Sequence, residues 1–562
     1  MKPSNNEDPP LSQPKRTRAS NPKVRSGCIT CKARRVKCDE RKPSCAQCTR
    51  TGRLCEGYRM PLSTPPVPRT LAPAPALDNP VELQSLEFFF IKTAPQLAGF
   101  FGAAFFQGSV LQVCLAEPAI RLAVSAIGAL HEQTATAKLT IAAGKSPRTV
   151  HIQFYNRSIR SVIDKAAAGL NAFPLIAMAN ILFTCFEMLQ GNRTAAAVHI
   201  RSGVSLLQTW REKNGGPARP WGRKYSTSES RFLETEIAPL LSLFNTNVAD
   251  HVNGGRADIL LNPVNEHGGL LLANRFENLA EARVALIDMV THARGLCDRS
   301  DRALLQRHDP EIDASVVSGS VQENLKRWST NVEGLVRRKQ HLWNKKEQEL
   351  AAAIRIIRLS TQFGLRSYQA ENECQWDSYR SEYEELIHLA SAIFSNPTRF
   401  PDSLSRTLSL DLSMIFPLHA VAYKCRWPKL RRQGLDLLLR IPRREWLFES
   451  RHYHHIFSRI MEIEEASLGL EPGTQPDENW LPAENSRIHD FVVIPQPALS
   501  NGPPVYAVTF WRNPQGLGGP SSSWTELMQL DSSQPGEVPA ARNMMGRKLR
   551  GGRWIQLLSA DR

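Results

Sequence analysis

Six of the eleven cysteines in this 562-residue chain fall between Cys28 and Cys55. Their spacing is C-x2-C-x6-C-x6-C-x2-C-x6-C, through Cys28, Cys31, Cys38, Cys45, Cys48 and Cys55. The unit C-x2-C-x6-C is thus written twice, offset by seventeen residues. A C-x2-C pair at a turn or helix start can present two sulfurs to one metal, and six residues later, nearly two helical turns on, the chain returns a third. Three thiolates per half do not complete the tetrahedron that zinc prefers. If one cysteine from each half is shared, two Zn²⁺ each gain four sulfurs from six cysteines, and the cluster carries a net charge of about −2 for neighbouring cations to offset. The competing reading is a disulfide framework or ordinary thiols. The opening residues, MKPSNNEDPPLSQPKRTRAS, contain no apolar stretch or small-residue cleavage pattern of a secretory signal. Clustered cysteines in a chain without an export signal point to metal. Cys114, Cys185, Cys297, Cys374 and Cys425 are scattered in apolar or mixed surroundings and read as inert thiols.

The two halves serve a metal equally but differ in charge. Lys32, Ala33, Arg34, Arg35, Val36 and Lys37 stand between Cys31 and Cys38, whereas Thr49, Arg50, Thr51, Gly52, Arg53 and Leu54 stand between Cys48 and Cys55. Only the first half is built to meet a polyanion. A short helix starting near Cys31 would point amide N–H groups and basic side chains at DNA. Arg34 or Arg35 could then pair with guanine O6 and N7 in the major groove. Lys32 and Lys37, with Lys23, Arg25, Arg41, Lys42, Arg50 and Arg53, would bind phosphates and set register. The charge balance agrees. The chain holds 70 Lys and Arg against 54 Asp and Glu, a net +16, and residues 1–60 alone hold 15 against 5, a net +10. A small polyanion-binding module explains that asymmetry better than a generally basic protein does.

The run CITCKARRVKCDERKPSCAQCTRTGRLC resembles the DNA-binding module of fungal binuclear zinc-cluster transcription factors. The resemblance implies two structural Zn²⁺ with Cys28 and Cys45 bridging both, and Arg34 and Arg35 reading a CGG-type triplet. Pro43 matches a proline in the loop joining the halves that the family often holds as a cis bond. Several members have Lys where this chain has the Arg34–Arg35 pair, so the guanine preference should persist with altered fine geometry. The implied protein is a nuclear, non-enzymatic regulator of RNA polymerase II transcription, with double-stranded DNA and the transcription machinery as partners. More weakly, residues 81–440 resemble the helical fungal-specific transcription factor domain. Leu86–Thr93, Glu117-Pro118, Ala126–His131, Phe154-Tyr155-Asn156, Phe186-Glu187, Gly191-Asn192 and His199–Gly203 carry that likeness, which implies a regulatory domain.

The elements that must position these residues form a small zinc-stabilised module with two short helices, joined by a Pro-rich linker to a large all-α domain, then a loosely structured acidic, Pro- and Gly-rich C-terminal region. Residues 1–22 read as a flexible basic arm, in which Lys15-Arg16-Thr17-Arg18 is either an import signal or a phosphate contact. Residues 23–58 are the cysteine module, and 59–80, with seven prolines from Pro61 to Pro80, an extended linker. Residues 81–466 are rich in helix formers, notably Ala119–Leu130, Ile176–Leu189, His199–Trp210, Leu279–Leu296, Leu350–Leu365 and Tyr383–Ile393. Thr93–Ala116 and Ala166–Phe186 lack charges, but their Pro, Asn and Gln residues suit buried helices separated by turns rather than membrane spans. Residues 467–562 are expected to hold little structure beyond short strands at Phe491–Ile494 and Val505–Phe510 and a loop at Asn513–Ser523. Met461–Asp490 has eight acids against one Arg, which reads as a solvated helix end or an activation segment. The Arg451–His455 run reads as surface. A basic tail surrounds Arg547.

Glu56–Pro80 offers no heptad repeat. Either one copy binds a single triplet, or the helical domain pairs two copies as a homodimer. Two other function classes compete with the regulator: a zinc-module adaptor that binds protein partners, and an enzyme housed in 81–490. No G-x-S-x-G, P-loop, H-E-x-x-H or kinase motif supports the second.

Overall fold

The computed structural model describes residues 27–41, 44–55, 79–100, 102–142, 149–168, 172–214, 227–248, 261, 272–305, 314–367, 372–394, 408–410, 414–441, 444–445, 448–471, 474–496, 505–512 and 522–530. The basic arm, most of the linker, the basic tail and most of the Asn513–Ser523 loop lie outside them, as do Lys23, Arg25, Lys42 and Pro43. The chain divides into two compact units, Met1–Pro73 and Ala74–Arg562.

The first unit contains two five-residue helices, α1 (Ile29–Ala33) and α2 (Ala46–Arg50). Helices this short do not persist on propensity. Their ends are held by cysteines, described below.

The second unit is mostly helical, and each helix expected from composition is present and longer than expected. They are Pro118–Ala142, Phe173–Gln190, Arg193–Asn214, Leu279–Leu305, Lys345–Ser367 and Arg380–Phe394. Local signals fix many boundaries. Asn79 caps Pro80–Phe88 by accepting from the Val81 N–H at 3.1 Å, with Pro80 at the first helical position. Gly191, at φ 84°, ends Phe173–Gln190. Gly128 marks a close helix crossing: a Cβ there would lie 2.0 Å from the carbonyl oxygen of Ser85. The charge-free stretch Thr93–Ala116 is broken as expected, by Gly99 at φ 50° and by a wide-turn segment, Ala104–Ser109, before Val110–Ala116. Phe173–Gln190 is apolar and long enough to cross a membrane, but Ala177–Leu189 is buried throughout against neighbouring helices and includes Glu187, whose carboxylate accepts from the Tyr155 hydroxyl at 2.7 Å.

In the C-terminal part the strands expected at Phe491–Ile494 and Val505–Phe510 are present and longer, and the described residues of 467–562 hold more structure than expected. Asp490–Pro495, Val505–Arg512 and Ser522–Gln529 form a three-stranded antiparallel sheet with Val505–Arg512 in the middle. Phe491, Val493, Tyr506, Val508 and Phe510 belong to the same apolar core as the helices, which is why these strands are held. The acidic stretch before them is in part the solvated helix end expected, with Glu462, Glu471, Asp477 and Glu478 exposed, but several of its acids are paired. Glu462 pairs with Arg459, Glu465 with Arg432, Glu478 with Lys429, and Glu484 with His489.

Glu464 is fully buried within an ion network. Its carboxylate accepts from Arg426 Nη2 at 3.0 Å, Arg431 Nη1 at 2.6 Å and the Ile488 N–H at 2.8 Å. Arg426 also donates to Glu373 at 3.0 Å, which accepts from Lys424 at 2.8 Å. Arg487 completes the network with a two-pronged pairing to Asp377 at 2.7 and 2.8 Å. Four segments distant in sequence are thereby locked together. The Arg451–His455 surface run also needs correcting: His452 and Tyr453 are buried, with the His452 ring against Tyr506.

Candidate metal centre and nucleic-acid interface

The duplication in the cysteine spacing is reproduced in the geometry. Cys28 caps α1, its sulfur accepting from the Cys31 N–H at 3.3 Å, and Cys45 caps α2, its sulfur accepting from the Cys48 N–H at 3.3 Å. A thiolate is favoured at a helix N-terminus, where partial positive charge collects. The helix begins at Ile29, two residues before Cys31, and the Cys31 N–H is satisfied by the Cys28 sulfur rather than left for a ligand.

Cys28, Cys31, Cys45 and Cys48 are buried together. Their sulfurs stand 3.7 Å (Cys28–Cys45), 3.8 Å (Cys28–Cys48), 3.6 Å (Cys31–Cys45) and 3.8 Å (Cys31–Cys48) apart. A tetrahedron of sulfurs at the usual Zn–S distance of about 2.3 Å has edges of about 3.8 Å. The sulfurs thus fit a tetrahedral zinc. Burial pushes the Cys28 thiol up to about 12 and raises those of Cys31 and Cys45. Sulfurs packed this closely cannot all be thiolates without a cation between them, and zinc supplies it.

Cys38 and Cys55 are half-buried and pack against this group. The Cys38 sulfur accepts from the Cys28 N–H at 3.4 Å and lies within 4.8 Å of both the Cys45 sulfur and an Asp39 carboxylate oxygen. Two ions sharing the Cys28–Cys45 edge would lie on either side of it and part Cys31 from Cys48. Here those two sulfurs touch at 3.8 Å, so the arrangement is a single four-sulfur group and does not display two separate sites.

Several supporting residues carry no signal in the cysteine spacing. Asp39 accepts from the Ala46 N–H at 3.1 Å and the Gln47 N–H at 3.4 Å, fixing the start of α2 from the loop between the halves. Against the upward push of desolvation, those amides hold its carboxyl below the usual range. Thr30 donates to the Leu54 carbonyl at 3.1 Å, and Arg34 Nη1 donates to the Thr51 hydroxyl oxygen at 3.3 Å, so both side chains bridge the halves. A Cβ on Gly27 would lie 2.9 Å from that of Cys38.

The basic residues of the first half are displayed rather than consumed. Lys32, Arg35 and Lys37 are exposed, Arg34 half-buried. Arg41 is exposed with Asp39 at 3.8 Å, Arg50 donates to Gln47, and Arg53 is exposed. The equivalent end of α2 presents Thr49, Gly52 and Leu54 where α1 presents Lys32, Arg35 and Lys37.

Comparison with known proteins accounts for this centre. Residues 26–65 match the fungal Zn(2)-Cys(6) binuclear cluster domain. Two zinc ions and six cysteines are the pattern of that domain. The chain is 25% identical over 429 residues to an aspercryptin biosynthesis cluster-specific transcription regulator of Emericella nidulans, covering 69% of this chain and 67% of the relative. It is 27% identical over 207 residues to a transcription regulator of Purpureocillium lilacinum, covering 33% of this chain and 49% of the relative. A transcriptional regulatory protein of Schizosaccharomyces pombe is 58% identical over 36 residues, 6% of this chain and 7% of that protein. No solved structure matches. The chain therefore carries a zinc-binding, DNA-binding cluster domain and is similar over much of its length to a transcription regulator.

Proposed function

We propose that the protein is a nuclear regulator of RNA polymerase II transcription that reads a CGG-type triplet through the major groove, with Arg34 and Arg35 as the reading pair. One observation carries this reading. Of two helices built alike on the sulfur centre, α1 ends in the denser group of cations, with Lys32, Arg35 and Lys37 exposed beside half-buried Arg34, against exposed Arg50 and Arg53 at the end of α2. Guanine-rich edges offer the paired acceptors that arginine matches. Lys32, Lys37, Arg41, Arg50 and Arg53, with Lys23, Arg25 and Lys42, bind phosphates and set register. Cys28 and Cys45 bridge the two ions when the cluster is loaded. The module supplies positioning, not chemistry, and the helical body is regulatory and contacts the transcription machinery.

The test is binding-site selection from random duplexes with the full zinc-loaded chain. Enrichment of a CGG-type triplet is the expected result. Zinc-loaded protein that enriches no sequence would overturn the reading and favour an adaptor that binds proteins. The spacing of enriched triplets also separates the two assemblies: a lone triplet means one copy, a paired triplet a homodimer through the body.

A further inference from the structure

The seventeen-residue offset that superposes the cysteines also pairs Arg34 with Thr51 and Arg35 with Gly52. Both helices close with the same motif. The Arg35 N–H donates to the Lys32 carbonyl and the Val36 N–H to the Cys31 carbonyl, each at 3.1 Å. The Gly52 N–H donates to the Thr49 carbonyl at 3.1 Å and the Arg53 N–H to the Cys48 carbonyl at 3.0 Å. This closure places the residue after the cap in the left-handed region, with Arg35 at φ 56° and Gly52 at φ 60°. A Cβ on Gly52 would meet nothing within 4 Å. Glycine at 52 therefore serves the backbone alone. The first half keeps a β-carbon and a long cation in the same strained well, where glycine would be the relaxed choice.

The neighbouring arginine is used differently. Arg34 sits in the ordinary helical region and donates to Thr51, its own counterpart in the other half, whose hydroxyl in turn donates to the Gln47 carbonyl at 2.8 Å. Arg35 is exposed, and no hydrogen bond joins its side chain to another described residue. We propose that the pair divides its labour: Arg35 is the specificity-determining residue, kept in a left-handed position at a cost in module stability, and Arg34 is a positioning residue that straps the two halves together.

This division rests on the DNA-reading function proposed above and narrows its reading pair to Arg35. Two measurements on the full chain test it: the rate of zinc transfer to a chelating dye, and the ratio of affinities for a CGG duplex and a scrambled one. Arg35→Gly should hold zinc at least as long as the parent, with transfer slowed about fivefold as the strain is relieved, and should lose about tenfold or more of its discrimination. Arg34→Ala should release zinc faster than the parent and keep most of its discrimination. Faster zinc loss from Arg35→Gly, or equal loss of discrimination in both variants, would overturn the division. A selective parent whose Arg35→Gly variant stays equally selective overturns it alone. A parent with no sequence preference overturns the DNA-reading function, and the division falls with it.

Discussion

Glu464 offers the sharpest test of how the body is held together. Its side chain is fully buried and surrounded by Arg426, Arg431 and the Ile488 N–H. Against the upward push of burial, the two guanidinium groups hold its carboxyl at about 2, below an ordinary 4.5. Each tenfold change in proton affinity is worth about 1.4 kcal/mol, so the charged form contributes roughly 3 kcal/mol at neutral pH. That agrees with the 3–5 kcal/mol, roughly, that is lost when a buried ion pair is broken from one side. Glu464→Gln keeps the shape and an acceptor for Ile488 but leaves two buried cations short of a counter-charge. The sign follows from the depressed value. The contribution is complete above about pH 4.5 and is lost as pH falls through about 2. Urea unfolding of the full chain should therefore show the variant about 3 kcal/mol less stable at pH 7, with the gap below half that size at pH 3. Zinc content should not move. A gap under about 1 kcal/mol at pH 7, or one unchanged between pH 5 and pH 3, would refute the reasoning.

Three further outcomes follow from the same geometry. Elemental analysis of the purified protein should find two zinc ions per chain, and chelation should abolish DNA binding while leaving most of the helical circular dichroism, since the module holds two helices of five residues each. Lys32→Ala should weaken binding to all duplexes alike and shallow the salt dependence by about one ion, measured as affinity against salt concentration. Gly128→Ala should cost about 1–3 kcal/mol in urea unfolding, because the added carbon would press on the Ser85 carbonyl, itself part of a helix that cannot yield cheaply.

What could be read from the chain depended on how far apart cooperating residues lie. The module is legible because its ligands recur within 28 residues at spacings that metal geometry dictates, and because the duplication exposes where the halves diverge. The start of α1 has a local cause that the spacing does not announce: the Cys28 sulfur acts as the N-cap, so the helix begins directly after it. The helices of the body announce themselves through composition. The strand Ser522–Gln529 has a weaker signal, Trp524, Glu526 and Met528 on one half-buried face alternating with exposed Thr525, Leu527 and Gln529.

The buried network has no sequence signature, and the reason is physical. A charged residue reads as solvated unless its counter-charge is in view, and here the partners of Glu373 lie at Lys424 and Arg426, those of Glu464 at Arg426 and Arg431. An acid-rich stretch with few neighbouring cations therefore looks like a free tail, although counter-ions for two of its acids come from a segment well before it in the chain, as in the Arg432–Glu465 and Arg426–Glu464 pairs at 33 and 38 residues. The zinc module shows the same rule reversed. The centre its cations surround carries only about two negative charges, and among the described residues Lys32, Arg35, Lys37, Arg50 and Arg53 are exposed. In the body, charge is balanced inward and holds the fold. In the module it is left over at the surface, most densely at the end of α1, and it is this surplus that the proposed reading gives to a phosphate backbone and a guanine edge.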